Sequence, residues 1–358
     1  MKRRDFFRNF SSIALLGALP IAAKANKVKP EYNWKMVTTW PKNFPGLGTG
    51  AQYLADTINK LSGGRIKVTV YGAGELVPAF EIFDAVSNGV AELGHGSAYY
   101  WKGKNDTFQF FSTVPFGMTA NEMNAWLYKG GGLDLWESAY KDFNLVPMAA
   151  GNTGIQMGGW FNKEINSLGD LKGLKMRIPG LGGEVLKRAG GTPVNLPGGE
   201  LFTALKTGTI DATEWVSPYN DLAFGLHKAA KYYYYPGWHE PGTTLECFVN
   251  KNKFQELPRD LQEIILGAAK MSNVDMLCEI ISKNNEALEI LKNKHKVDIR
   301  PYPEEVLGEL YEISKKVVKE LSLSSDFAKE VYDSYTSFQE KTKKWNEISI
   351  KSYLNTIK

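Results

Sequence analysis

From residue 34 onward the chain alternates two hydrophobic rhythms. Residues 34–39, 66–71 and 91–96 are short apolar or alternating runs, the period-two signature of strands. Between the first two, Leu47, Ala51, Leu54, Ile58 and Leu61 recur at steps of three and four, which predicts a helix over Leu47–Leu61. Residues 78–86 suit a second helix, stopped by Asn88-Gly89. That β-α-β-α-β order builds one α/β lobe, which helical patterns at 121–128 and 133–143 and a strand at 145–150 extend.

Residues 155–161 then cross into a second lobe. Its centre is 171–215, read as a strand (174–178), a glycine-bounded helix, a strand (192–196), another helix and a third strand ending at Glu214-Trp215. Short strands punctuated by Gly and Pro argue for parallel βαβ units. The four tyrosines 232–235 read as a strand with alternating burial, and 245–250 as another. Pro258 sits well in a first helical turn. The stripe Leu261, Ile264, Ala268, Met271, Val274, Cys278, Ile281, Asn285 and Leu288 predicts a spine helix running along both lobes. Crossings near 150 and 240 would form the hinge of a clamp. After Pro301 come helices at Glu304–Leu321 and 325–354; Phe327, Val331, Tyr335, Phe338, Thr342, Trp345 and Ile348 share one face of the last. Such a stripe either packs on its own protein or is exchanged with a second copy.

The first residues carry a different message. Lys2-Arg3-Arg4-Asp5-Phe6-Phe7-Arg8, the apolar run 13–23 and Ala23-Lys24-Ala25 form an export signal of twin-arginine type over 1–25, which implies a periplasmic mature protein. The apolar run is too short to span about 30 Å of hydrocarbon. The chain has 43 Lys and Arg against 39 Asp and Glu, but the signal holds Lys2, Arg3, Arg4, Arg8 and Lys24 against Asp5. Its removal leaves the two signs equal, so charge gives no argument for nucleic acid or anionic membrane. Cys247 and Cys278 either pair or stay free, and neither has basic neighbours that would make a reactive thiolate. The four histidines, His95, His227, His239 and His295, show no paired zinc spacing.

The chemistry concentrates at the strand ends of the second lobe. Ligands of open α/β sheets bind outside the carboxyl ends of strands, where Arg177 and Glu214 stand. A guanidinium grips a carboxylate in bidentate fashion. A second carboxylate about 4 Å from the ligand's would repel it by roughly 4 kcal/mol at an effective dielectric near 20. Glu214 therefore takes up a proton, pairs with a cationic side chain, or shares a metal ion with the ligand. Oxygen donors suit Ca²⁺ and, by the same logic, Na⁺.

The segments LKGLKMRIPG and GGTPVNLPGGELFTALKTGTIDATEW, with the tyrosine-Pro-Gly-Trp run after them, resemble the extracytoplasmic substrate-binding proteins of tripartite ATP-independent periplasmic (TRAP) transporters. Within them the likeness is to the branch that binds 2-oxo acids or lactate with a metal ion. The resemblance implies an α/β, two-lobed periplasmic binding protein (a type II-like clamp) with a long spine helix and extended C-terminal helices. It implies that Arg177 of Lys175-Met176-Arg177-Ile178-Pro179 holds the substrate carboxylate. It further implies that Glu214, the Trp215 carbonyl and Gln156 hold Na⁺ or Ca²⁺ against it. Partners would be a small carboxylate, the membrane permease subunits and, through the C-terminal helix, a second copy. Asn152 and Gln156 at the first crossing, Tyr99 and Tyr100 from the first lobe, and Glu240 at the second crossing are further candidates, Glu240 for the metal. His239 stands where an aromatic or polar neighbour was expected.

The expected division is 1–25 export signal, 26–150 plus about 241–275 first lobe, 151–240 plus about 276–302 second lobe, and 303–358 a helical extension. A competing class is a periplasmic enzyme using Glu214 as general base, which lacks a partner acid or nucleophile. The residues also leave open the binding of a C4-dicarboxylate or sugar acid, and service to a sensor.

Overall fold

A computed structural model describes residues 29–357; the export signal lies outside the described residues. The chain lays down β1 (Tyr32–Thr38), β2 (Ile66–Tyr71), β3 (Leu93–Gly96) and β4 (Leu145–Asn152), then crosses over. Next come β5 (Gly159–Phe161), β6 (Lys175–Arg177), β7 (Thr192–Val194), β8 (Ala212–Thr213) and β9 (Tyr232–Tyr235). β10 (Thr244–Asn250) returns to the first lobe and β11 (Asp298–Pro301) to the second. The first sheet has the order β2-β1-β3-β10-β4, the second β11-β9-β5-β8-β6-β7. β1 pairs in parallel with β2 and β3, and β6 with β7 and β8, as βαβ connections require. β10 and β5, the strands entered through the crossings, are antiparallel to their neighbours. This is the expected two-lobed α/β architecture.

The strand pattern follows position in the sheet. Edge strand β2 alternates, burying Ile66, Val68 and Val70 and exposing Lys67 and Thr69, whereas central β10 is buried throughout. The tyrosine strand does not alternate as expected. Tyr233 and Tyr234 are both buried, because the second sheet is covered on both faces: Tyr233 stacks on Trp160 at 3.9 Å and Tyr234 packs on Tyr302 at 5.0 Å. Of the two cysteines, both free, Cys247 is buried in β10 and Cys278 is exposed on the spine helix.

The spine helix, Arg259–Glu289, exists as expected but turns a different face inward. Leu261 and Ala268 are buried, yet Met271, Val274 and Ile281 are 46%, 57% and 62% exposed. Where the helix crosses the hinge its inner face is Ser272, Asn273, Met276 and Ile280. Ser272 Oγ donates to the Ala150 carbonyl (2.8 Å), and Asn273 Nδ2 donates to Asn124 Oδ1 (2.7 Å). Two of these four inward positions are polar and hydrogen-bonded, so hydrophobic periodicity pointed the wrong way.

The two crossings lie side by side and bond to each other. Thr153 N–H donates to the Thr243 carbonyl (3.0 Å), Gln156 N–H to Glu240 (3.2 Å) and Gly237 N–H back to Gln156 (2.9 Å). A hydrophobic cluster spans both lobes beneath this hinge, joining Trp40, Phe44 and Leu47 to Trp160, Trp215 and Met276. Helix Glu304–Leu321 packs mainly on the second-lobe helix Gly180–Arg188, where Arg188 Nη2 pairs with Glu320 Oε2 at 2.6 Å. Helix Asp326–Ile348 packs on the chain's own first lobe through Val331 and Tyr335, whose hydroxyl accepts from Met118 N–H at 2.9 Å. The stripe leaves the body only near its end, where Trp345 and Ile348 are 64% and 73% exposed.

Candidate functional site

Arg177 closes β6 and Glu214 follows β8, the neighbouring strand, so register alone sets them side by side: Glu214 N–H donates to the Arg177 carbonyl at 3.2 Å. Both side chains are buried, and Arg177 Nη1 forms an ion pair with Glu214 Oε1. Arg177 Nε donates to the Leu196 carbonyl (3.1 Å) and Nη2 to the Tyr100 hydroxyl (3.2 Å), which reaches across from the first lobe. The Trp215 ring lies 5.2 Å from the guanidinium carbon, within cation–π range. Burial works hardest against the guanidinium's charge, but Glu214 first, with Tyr100, Tyr99 and Glu240, together outweigh it, so the Arg177 pKa is raised. Burial also raises the Tyr100 pKa, against the pull of Arg177.

The hinge supplies the facing wall. Gln156 Nε2 donates to Glu240 Oε2 (2.7 Å) and to Thr153 Oγ1 (3.2 Å). Thr243 Oγ1 donates to the same Glu240 oxygen (2.5 Å). Burial first, and the charge of Glu214 second, push the Glu240 pKa up to about 7. His239 Nε2 stands 3.5 Å from Glu214 Oε2, without hydrogen-bond geometry, and neither ring nitrogen has a hydrogen-bond partner among the described residues.

The sequence-predicted residues thus fall into groups. Arg177, Glu214, Trp215 and Tyr100 meet at the crevice, and Gln156 and Glu240 meet at the hinge. Tyr99 packs edge-on against Tyr100 (4.7 Å between ring centres) and lines the crevice mouth with Pro179 and Gly180. Asn152 turns to the hinge backbone: Nδ2 donates to the Gly242 carbonyl (3.3 Å), and Oδ1 accepts from Gly154 N–H (2.8 Å). Three residues of this site were not singled out from sequence: Thr153, Thr243 and, as more than a neighbour, His239. The only available signal was their position at the two crossings.

The donor set suits a cation. Gln156 Oε1 and Glu214 Oε2 are buried and accept no hydrogen bond among the described residues, an arrangement that costs free energy unless positive charge arrives. Glu214, His239 and Glu240 can bring one ligand atom each within 4.8 Å of the others. A set dominated by oxygen favours a hard cation.

Two α/β lobes joined by a bonded hinge, with a buried guanidinium and unpartnered carboxylate and amide oxygens in the crevice, define a solute-binding clamp. The chain belongs to the bacterial extracellular solute-binding proteins, family 7, which it matches over residues 36–324. It is 43% identical to a monocarboxylate 2-oxoacid-binding periplasmic protein of Nostoc sp., over 99% of this chain and 98% of that one. It is similar to a TRAP periplasmic solute-binding protein of Pseudoalteromonas atlantica solved with bound sodium and pyruvate (41% identity, TM-score 0.89, 92% of this chain, 100% of that one). It is also similar to a TRAP solute-binding protein of Bordetella bronchiseptica, solved as a mixed-occupancy dimer with calcium and picolinate in one site and the other site apo (36%, TM-score 0.89, 92% and 97%).

Proposed function

We propose that this protein captures pyruvate or a similar 2-oxo acid in the periplasm, together with a sodium or calcium ion, and delivers it to the membrane subunits of an ion-gradient-driven TRAP transporter. It acts as a carrier, not as an enzyme. The observation that carries the reading is the buried Arg177 guanidinium set beside two unpartnered oxygens, Glu214 Oε2 and Gln156 Oε1. The pyruvate-bound and 2-oxoacid-binding relatives support the substrate class.

Arg177 and Tyr100 take the ligand carboxylate. Glu214, Gln156, Glu240 and the Trp215 carbonyl hold the cation, which supplies a bridge between two negative groups. Tyr99 walls the mouth, and Asn152 braces the hinge. Charge counting ties cation choice to Glu240. Arg177, Glu214 and a monoanionic ligand balance with one monovalent ion when Glu240 is protonated, and with a divalent ion when it is ionised. The lobes close over the ligand about the crossings near 150 and 240. The end of the C-terminal extension pairs two copies, a reading supported by the dimeric Bordetella relative and by exposed Trp345, Ile348, Tyr353 and Leu354.

The test is a thermal-shift screen of refolded, ligand-stripped protein. It uses pyruvate, 2-oxobutyrate, lactate, succinate and sialic acid, each with Na⁺, with Ca²⁺, and with chelator in potassium buffer. At a hundred times its dissociation constant a ligand stabilises by roughly 2.7 kcal/mol. A 2-oxo acid shift that requires the cation is expected. No shift with any acid, on folded protein, would sink the carboxylate reading.

A further inference from the structure

We infer that Asp221 is the positioning residue that aims the Trp215 carbonyl oxygen at the cation, by holding the N–H on the other side of the same peptide bond. The inference rests on the metal-bridged reading above. Val216 N–H donates to Asp221 Oδ1 at 3.1 Å. In a trans peptide the C=O and N–H point to opposite sides. Fixing the Val216 N–H towards Asp221 therefore fixes the Trp215 carbonyl away from it. That carbonyl accepts no hydrogen bond from the described residues.

The clamp on Asp221 is itself rigid. Asp221 Oδ2 accepts from Trp160 Nε1 (2.9 Å) and from the Tyr233 hydroxyl (2.8 Å), on β5 and β9. These two rings stack at 3.9 Å. Asp221 is 1% exposed, and its own N–H donates to the Ser217 carbonyl (2.9 Å), closing the turn that follows Trp215. Three donors converge on this group, an arrangement suited to a carboxylate, which accepts at both oxygens; burial, opposed by those three bonds, pushes its pKa up to about 7. An acceptor on the N–H also draws electron density towards the carbonyl oxygen. Partners of this kind orient and strengthen metal ligands.

Trp215-Val216 is the one Trp-Val pair in the sequence. Protein labelled with ¹³C-carbonyl Trp and ¹⁵N Val therefore gives a single peak in an amide-to-carbonyl NMR correlation. That peak reads the N–H at Asp221 and the C=O at the cation together. With pyruvate present, Ca²⁺ is expected to move its carbonyl coordinate in the wild type. Asp221→Asn, whose amide group turns a donor towards a donor, should weaken Ca²⁺ binding about tenfold to a hundredfold and move the amide proton. Trp160→Phe and Tyr233→Phe leave the Val216 bond in place and should keep Ca²⁺ affinity within about threefold of wild type. Folded Asp221→Asn with unchanged Ca²⁺ affinity overturns the proposal. So does a loss in Trp160→Phe or Tyr233→Phe as large as that expected for Asp221→Asn, which would assign the effect to general packing; this arm decides even when Asp221→Asn does not fold. A wild type that binds pyruvate without any Ca²⁺ or Na⁺ response sinks the bridging reading as well.

Discussion

Arg177 and Glu214 sit where charges are expensive. Desolvating each ion costs several kcal/mol, and removal of one partner strands the other. On the proposed reading, a third and a fourth charge, those of the ligand and the cation, complete the pair. Arg177→Lys replaces a planar fork by a point charge. It should weaken pyruvate binding by about 2–3 kcal/mol, roughly a hundredfold, in isothermal titration with Ca²⁺ present. Glu214→Gln keeps the shape and should erase the difference in affinity between Ca²⁺ and chelator buffers; a difference that survives removes Glu214 from the cation. Elsewhere in the first lobe, Glu246 is buried between the Trp101 Nε1–H (2.5 Å) and the Tyr140 hydroxyl (2.7 Å). Burial, opposed by those two bonds, pushes its pKa from 4.5 up to about 7. The folded chain then holds a proton that the unfolded chain releases, so stability falls as pH rises from about 4.5 to about 7. Glu246→Gln should escape that loss and gain on wild type across this window, levelling off on the order of 3 kcal/mol. Parallel melting-temperature profiles would refute it. The residue scale was partly legible: a strand-end motif marks Arg177 and Glu214 by itself. His239 and Asp221 carry no such mark, because their partners come from segments that only the fold brings near.

Among elements, those with a strong local period were the readable ones. The helices Leu47–Leu61 and Glu304–Leu321 and the strand Ile66–Tyr71 were legible to the residue, because each is amphipathic against a single core. β11 and the helix Pro218–Phe224 were not, being short and held by long-range pairing. The spine helix was found but misfaced, because its inner face sets the polar Ser272 and Asn273 beside Met276 and Ile280. At the hinge, close approach of backbone decides instead. A Cβ added at Gly237 would meet the backbone of Gln156, 2.6 Å from its carbonyl carbon, and backbone cannot rotate away. Gly237→Ala should therefore cost about 1–3 kcal/mol in denaturant unfolding and weaken ligand binding by displacing Gln156. Gly199→Ala, with nothing within 4 Å, is the control expected to stay near wild type.

At the scale of the whole molecule, the architecture of two lobes followed from the order of elements, but the fate of the C-terminal helices did not. An amphipathic stripe states that a face will be covered, not by which copy of the chain. Here Val331 and Tyr335 are covered by their own protein, while Trp345, Ile348, Tyr353 and Leu354 remain outside. Sedimentation at micromolar concentration should show a dimer for the mature protein, and a monomer with unchanged ligand affinity for Trp345→Glu combined with Tyr353→Glu. A double variant that still sediments as a dimer would move the interface elsewhere.

The burial of Arg177, Gln156, Glu214 and Glu240 between the lobes also has a kinetic side. A ligand lodged there leaves only after the bonded crossings let the lobes part, so departure is gated by the protein and not by the guest. Different 2-oxo acids should therefore share one upper limit on their dissociation rates, however much their affinities differ. The clamp becomes a timer whose period is set at the hinge, and a permease that pries the lobes open would reset it.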